Sequence, residues 1–183
     1  MKNVNPRGKI PVLVDGDFKL TEGPAIAKYL LHSRADAFPK NLWPEDVKKR
    51  SEIDVFLEWY ANTYRPNLLG PMQYGVKTKM RGLPEDKDAE KFVFDNAWKV
   101  LGQLDKILEK KGSAYIVGEE LSLADIFIFH ETTDLLMGKF DEIPAEFPTL
   151  AKWFAKVLET KEVKEVYDQW WAALAPIKEK FKA

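Results

Sequence analysis

Apolar positions along the chain follow two regimes. Near the start they form short runs, with Val12-Leu13-Val14 and Phe18-Lys19-Leu20 on either side of Asp15-Gly16. An Asp-Gly pair between β-prone runs predicts a two-residue hairpin, a turn whose two positions need φ > 0. Gly23-Pro24 then opens a helix with Pro24 at the first helical position, where its missing N–H costs nothing. Ala25, Ile26, Tyr29 and Leu30 recur at helical spacing and would bury one face against the hairpin. Two strands and one helix are a poor domain by themselves.

Residues 33–43, with Pro39 and scattered polar side chains, read as a linker. From Pro44 onward the spacing of apolar residues is helical almost to the end. Glu45 and Asp46 suit the positive end of a helix starting at Pro44. Ile53, Phe56, Leu57, Tyr60 and Tyr64 keep one face apolar until Pro66 interrupts or kinks it. Phe94, Ala97, Leu101, Leu104 and Leu108 repeat the pattern, with Gly112 as the stop. Ser122-Leu123-Ala124-Asp125 reads as a capping box with Asp in place of Glu or Gln. Ile126-Phe127-Ile128-Phe129 is apolar on every side, as in a helix buried inside a bundle. Another helix begins near Thr149, and a last one runs through Val163, Val166, Tyr167 and Trp170. The second part is therefore an all-α bundle of about five helices.

Composition narrows the chemistry. The chain has 183 residues, 45% of them apolar, enough to bury a core. Twenty-eight basic side chains balance 29 acidic ones, for a net charge of −1. That balance argues against nucleic acid as a partner. There is no cysteine, which excludes disulfides, a thiolate nucleophile and Cys-ligated metal. His32 and His130 are the two histidines, too few for a His-rich metal site, and both read as ordinary. No apolar run is long enough to span a membrane. The N-terminus lacks the apolar core of a signal peptide, so a cytoplasmic location is expected. The lysines from Lys178 to Lys182, interrupted by Glu179, read as a solvated helix face.

Two motifs carry a family resemblance. Asn5-Pro6-Arg7-Gly8-Lys9-Ile10-Pro11-Val12-Leu13, followed by Asp15-Gly16-Asp17-Phe18-Lys19-Leu20-Thr21-Glu22-Gly23-Pro24-Ala25-Ile26, resembles the glutathione-binding stretch of cytosolic glutathione S-transferases, the theta-like classes above all. Trp43-Pro44-Glu45-Asp46, the helix through Trp59 and Arg65, and the segment from Val117-Gly118 to Asp125 are similar to that family's C-terminal domain. The resemblance implies a mostly α fold: a remnant of a thioredoxin-like α/β domain, hairpin plus helix, over residues 1–34, a linker over 35–43, and an all-α C-terminal bundle over 44–183. It also implies that a β-α-β unit should precede Asn5, carrying the Ser, Tyr or Cys that activates the glutathione thiol. No such catalytic residue is expected in this sequence.

The resemblance gives the remaining residues roles. Pro11 would be cis, leaving the Ile10 backbone to pair with the cysteinyl part of glutathione. Glu22 and Gly23 would receive the γ-glutamyl end at a helix N-terminus, and Lys9 the glycyl carboxylate. Gly23 stands where the family has serine, a lost hydroxyl donor worth roughly 0.5–1.5 kcal/mol. The alternative for Pro11 and Asp15-Gly16 is a hairpin that needs only turn chemistry. Arg65 corresponds to an arginine that points toward the glutathione sulfur and would stabilise the thiolate; its alternative is a surface ion pair. Tyr60 and Tyr64 would line the electrophile pocket or pack in the core, and Trp170 and Trp171 would cover the electrophile or pack on the bundle. Ser122 and Asp125 cap a buried helix. The implied activity is conjugation of glutathione, as substrate, to small electrophiles, with no metal. The other reading is a non-catalytic structural or interaction subunit. Expected partners are a second copy in a homodimer, or another protein covering the exposed edge of the hairpin.

Overall fold

In the computed structural model, strand β1 (Val12–Asp15) pairs antiparallel with β2 (Phe18–Thr21) in a register that sets Val12 opposite Thr21 and Asp15 opposite Phe18. The structure describes residues 5–71, 74, 81–136 and 143–179. The predicted turn is off by one position: Asp15 closes the strand ladder, and Gly16-Asp17 form the turn. Only Gly16, at φ 58°, has positive φ there. One positive φ, at the first turn position, is the demand of a II′ turn and not of the mirror-image type I′.

Helix α1 (Gly23–Ser33) packs on this hairpin. It begins one residue earlier than expected, so Pro24 is its second residue, still within the turn whose N–H groups lack helical partners. The Tyr29 hydroxyl donates to Asp15 at 2.8 Å, and its ring lies 5.2 Å from that of Phe18. Ala25, Ile26, Tyr29 and Leu30 are half-buried. Two short 3-10 turns follow, Ala35–Ala37 and Lys40–Leu42. Residues Met1–Ser51 form one compact unit and Glu52–Ala183 a second.

Helix α2 (Val47–Trp59) starts three residues later than the sequence suggests. The reason is Asp46, which acts as a cap ahead of the helix: its Oδ1 accepts the N–H groups of Lys48 and Lys49 at 2.8 and 3.0 Å. The helix is not broken at Pro66. One π turn, Tyr60–Tyr64, links α2 to α3 (Arg65–Pro71), with the Arg65 N–H bonded five residues back to Tyr60. The wider turn sits just before a proline that has no N–H to give.

Helix α4 (Lys87–Lys111) is capped by Asp86 and ends at Gly112, whose φ of 64° needs no Cβ. Helices α5 (Leu123–Leu136), α6 (Pro148–Leu158) and α7 (Lys161–Glu179) complete the second unit. Its core gathers Tyr64, Leu68, Leu101, Leu104, Leu108, Ile128, Phe129 and Leu150. Phe129 stacks on Phe154 with ring centres 4.5 Å apart. Asp105 of α4 accepts the Leu150 N–H at 2.7 Å and thus caps α6 across the bundle. Two expectations need correction. Val166 is exposed and not part of the buried face of α7, and Ile126 and Phe127 are only half-buried while Ile128 and Phe129 are enclosed. The side chains of Lys178 and Glu179 and all of residues 180–182 lie outside the described residues. Among the described residues no helix is long and apolar enough to cross a membrane.

Candidate functional site

The first unit builds a backbone cradle. Asn5, 2% exposed, folds the segment that leads to it. Its Nδ2 donates to the Lys9 carbonyl at 2.8 Å, and its Oδ1 accepts the Arg7 N–H at 3.0 Å. A buried amide with both ends satisfied holds a loop that side-chain packing alone would leave loose. The Ile10–Pro11 bond that follows is cis. Ile10 is 76% exposed, and its main chain makes no hydrogen bond among the described residues.

Glu22 has a φ of 71°, the left-handed region that a β-carbon disfavours. It precedes α1 and makes no side-chain cap to it. The N–H groups of Gly23 and Ala25, at a helix N-terminus, therefore have no acceptor among the described residues, a setting suited to an anion. The Glu22 carboxylate is engaged by Arg7 at 2.8 Å, and Arg7 also donates to Thr21 Oγ1 at 3.1 Å. Arg7 was not singled out in the sequence; its position between Pro6 and Gly8 carries no local signal. Lys9 is exposed beside it.

The second unit holds a cavity of about 360 Å³ between α5, the π turn and α7. Tyr60, Arg65, Phe127, His130, Glu131 and Trp170 are among its walls. Tyr64 is not: it is 0% exposed in the core, where its hydroxyl meets Thr132 Oγ1 at 2.8 Å. Trp171 does not line the cavity either and stacks on Tyr167 at 5.9 Å. Arg65 forms an ion pair with Glu131, a residue that carries no motif in the sequence. Burial pushes Glu131 up to about 7 and Asp134 up to about 6, with Arg65 pulling both the other way. Burial, aided by the Glu131 charge, raises the Tyr60 hydroxyl to about 12. Burial lowers His130 and so favours its neutral form.

Ser122 and Asp125 lie away from this cavity. Asp125 Oδ2 accepts the Ser122 N–H at 2.9 Å and its hydroxyl at 2.6 Å. Oδ1 accepts the Ile116 N–H at 2.8 Å and the Trp153 indole at 2.9 Å. One carboxylate so joins the loop before α5, the start of α5 and the middle of α6.

Residues 75–169 match the family model of the glutathione S-transferase C-terminal domain, and residues 2–32 match that of the N-terminal domain. The chain belongs to the glutathione S-transferase family. This glutathione S-transferase chain is 34% identical over 173 residues to glutathione S-transferase theta-1 of Gallus gallus, covering 93% of the chain and 64% of that relative. It is 31% identical over 171 residues to dichloromethane dehalogenase of Methylorubrum extorquens, covering 88% of the chain. It spans 57% of that relative's length. Human glutathione S-transferase T1-1 in its apo form superposes with a TM-score of 0.85 at 27% identity, over 97% of this chain and 73% of the other. Glutathione S-transferase-I solved with the ligand lactoylglutathione superposes at 0.77, also at 27% identity, over 90% of this chain and 77% of the other. The theta-like character, the two-stranded thioredoxin-like piece and the all-α bundle thus agree with the relatives. Among the described residues no group of three His, Cys, Asp or Glu could hold a metal.

Proposed function

We propose that the protein is a theta-like glutathione transferase that binds glutathione on its first unit and conjugates it to small electrophiles. The observation that carries this is Glu22. A glutamate held at φ 71° costs free energy, on the order of 1–3 kcal/mol for a residue in such a region. Here it leaves the first N–H groups of α1 uncapped by any side chain, where a carboxylate would bind. In this reading Gly23 and Ala25 N–H take the γ-glutamyl carboxylate and Glu22 its ammonium. The Ile10 main chain pairs with the cysteinyl residue beside Pro11, and Lys9 takes the glycyl carboxylate. Arg65 offers its charge to the sulfur anion, while Tyr60 and Trp170 line the electrophile cavity. The catalytic work is then thiolate stabilisation and positioning. A homodimer working in the cytoplasm belongs to the same reading.

Isothermal titration of glutathione against the protein and its Glu22→Ala variant tests this. Saturable binding that weakens at least tenfold in Glu22→Ala is expected. Binding that is absent, or indifferent to Glu22, would overturn the reading. A second reading, a non-catalytic interaction module, has one observation in its favour: Val14 and Phe18 of the hairpin are 55% and 48% exposed, apolar surface of the kind partners cover. Val14→Lys with Phe18→Lys should then abolish a stable complex seen by light scattering. A chain that is monomeric both before and after the change rejects it.

A further inference from the structure

Glu131 is out of place by composition. It follows Ile128 and Phe129 in a helix enclosed by the bundle, yet it is a carboxylate only 2% exposed. One oxygen, Oε2, takes all its contacts: it accepts Arg65 Nη1 and the Tyr60 hydroxyl, the latter at 3.3 Å. Arg65 Nη1 also donates to the Tyr60 oxygen at 3.2 Å, closing a triangle. The other oxygen, Oε1, is buried with no partner among the described residues. A leucine or methionine would fill this space without stripping water from a charge, so the acid destabilises the helix it belongs to.

The pair is also lopsided. The Glu131 side chain is 1% exposed and the Arg65 side chain 44%. The anchor is dry, and the guanidinium reaches toward solvent along the cavity wall. Since Nη1 is engaged, Nη2 and Nε make no hydrogen bond among the described residues. Those two nitrogens form the side-on edge of the guanidinium, two parallel N–H donors spaced for an anion. An arginine free to rotate about its last bonds would lose most of that directionality.

We propose that Glu131 is the positioning residue of Arg65: it pins the guanidinium through Nη1 and the Tyr60 hydroxyl, so that the Nε–Nη2 edge faces an anion in the cavity. This rests on the reading of Arg65 as the group that meets the anionic sulfur. Among the described residues, the other titratable groups lining the cavity with Glu131 are Arg65 and Tyr60, which bond to it, and Asp134 and His130 on its own helix. Burial favours the neutral form of His130, and Tyr60 stays protonated near neutral pH. Of Glu131 and Asp134, both raised into this range, Glu131 is the one bonded to Arg65, so its proton decides the tether. Burial places that proton near pH 7, with the tether present above it and released below.

Nitrogen NMR of ¹⁵N-arginine-labelled protein reads the tether directly, with the Arg65 signals assigned by their loss in Arg65→Lys. At about pH 8 the Arg65 Nη signals should be separate, because rotation is blocked; at about pH 5.5 they should merge. Glu131→Gln should merge them at both pH values, and Asp134→Asn should leave the transition in place. Arg65 signals unchanged with pH in the unaltered protein would overturn the proposal, as would signals unchanged by Glu131→Gln. If Glu131→Gln does not fold, the pH series on the unaltered protein decides alone. Conjugation of glutathione to a small alkyl halide separates the two ideas. When the tether holds, Glu131→Gln should lower kcat at pH 8 by on the order of 100-fold, the scale of a misplaced group, with little change in KM for glutathione. A tether seen by NMR together with full activity in Arg65→Lys would reject the role of Arg65 and leave the positioning intact. Activity lost in Arg65→Lys with no tether by NMR would do the reverse.

Discussion

Replacing Asp125 by alanine should nearly unfold the helical unit. Asp125 is 0% exposed and accepts four hydrogen bonds, from Ile116 N, Trp153 Nε1, Ser122 N and the Ser122 hydroxyl. Alanine leaves the first three N–H donors buried without an acceptor, while the hydroxyl can turn elsewhere. Each orphaned donor costs about 1–3 kcal/mol. Because the three share one acceptor their losses are not additive, and about 4–6 kcal/mol is the expected total. A domain stable by roughly 5–15 kcal/mol would be left marginal, with Tm lowered by about 10–20 °C at this chain length. Urea unfolding followed by tryptophan fluorescence and by circular dichroism measures it. Ser122→Ala removes one hydroxyl and should cost only about 1 kcal/mol. Asp125→Asn keeps one acceptor oxygen and should fall between the two. An Asp125→Ala loss below 1 kcal/mol, or a loss no larger than that of Ser122→Ala, would refute the view that one carboxylate ties the pre-α5 loop to α6.

Stability should also depend on pH through Glu131. Its folded value of about 7 lies above the ordinary 4.5, so the native state holds the proton that the unfolded chain has released. Through Glu131, stability therefore falls as pH rises from about 4.5 to about 7, by up to roughly 3 kcal/mol. Asp134, also raised, to about 6, steepens the lower part of that range, so urea midpoints should show the slope and Glu131→Gln should remove the part between about pH 6 and about pH 7. Two glycines should respond with opposite signs to alanine. Gly112, at φ 64°, should lose about 1 kcal/mol, and Gly102 should gain about 0.5–1 kcal/mol, since an added Cβ meets only Phe147 at 3.5 Å. Thermal melts of both variants check the pair. Gly23→Ser restores a hydroxyl at the α1 N-terminus and should tighten glutathione binding several-fold, as roughly 0.5–1 kcal/mol implies; titration calorimetry showing no gain would remove the residue from the site.

The bundle was legible in the sequence where one physical rule acted alone. Leu101, Leu104 and Leu108 are spaced by threes and fours because a single face of α4 is buried, and that periodicity is readable without partners. Where two local solutions are nearly equivalent, the reading slipped by a residue or two. Asp15-Gly16 and Gly16-Asp17 both satisfy a two-residue turn, and the ladder pairing of Asp15 with Phe18 chose between them. Asp46 can sit in a first turn or ahead of it, and its carboxylate on the Lys48 and Lys49 N–H groups settled the start of α2. Tyr60 and Tyr64, four apart, look like ordinary α spacing and conceal a π turn.

The candidate sites were harder to read for a different reason. The cradle of the first unit follows from a contiguous motif, Asn5 to Ala25, whose members lie close in sequence. The cavity of the second unit turns on a pair 66 positions apart, Arg65 and Glu131, and charge pairing leaves no period along a chain. The available signal was indirect: a helix apolar around Ile126–Phe129 that continues into His130-Glu131 and Asp134 must find each buried acid a donor or leave it neutral. Arg65 carries its own signal through the family resemblance. Joining the two needed the π turn, which carries Arg65 and Tyr60 onto the face that Glu131 occupies, and that turn is the one local element the spacing of residues hides. The hidden π turn and the missed acid therefore share one cause.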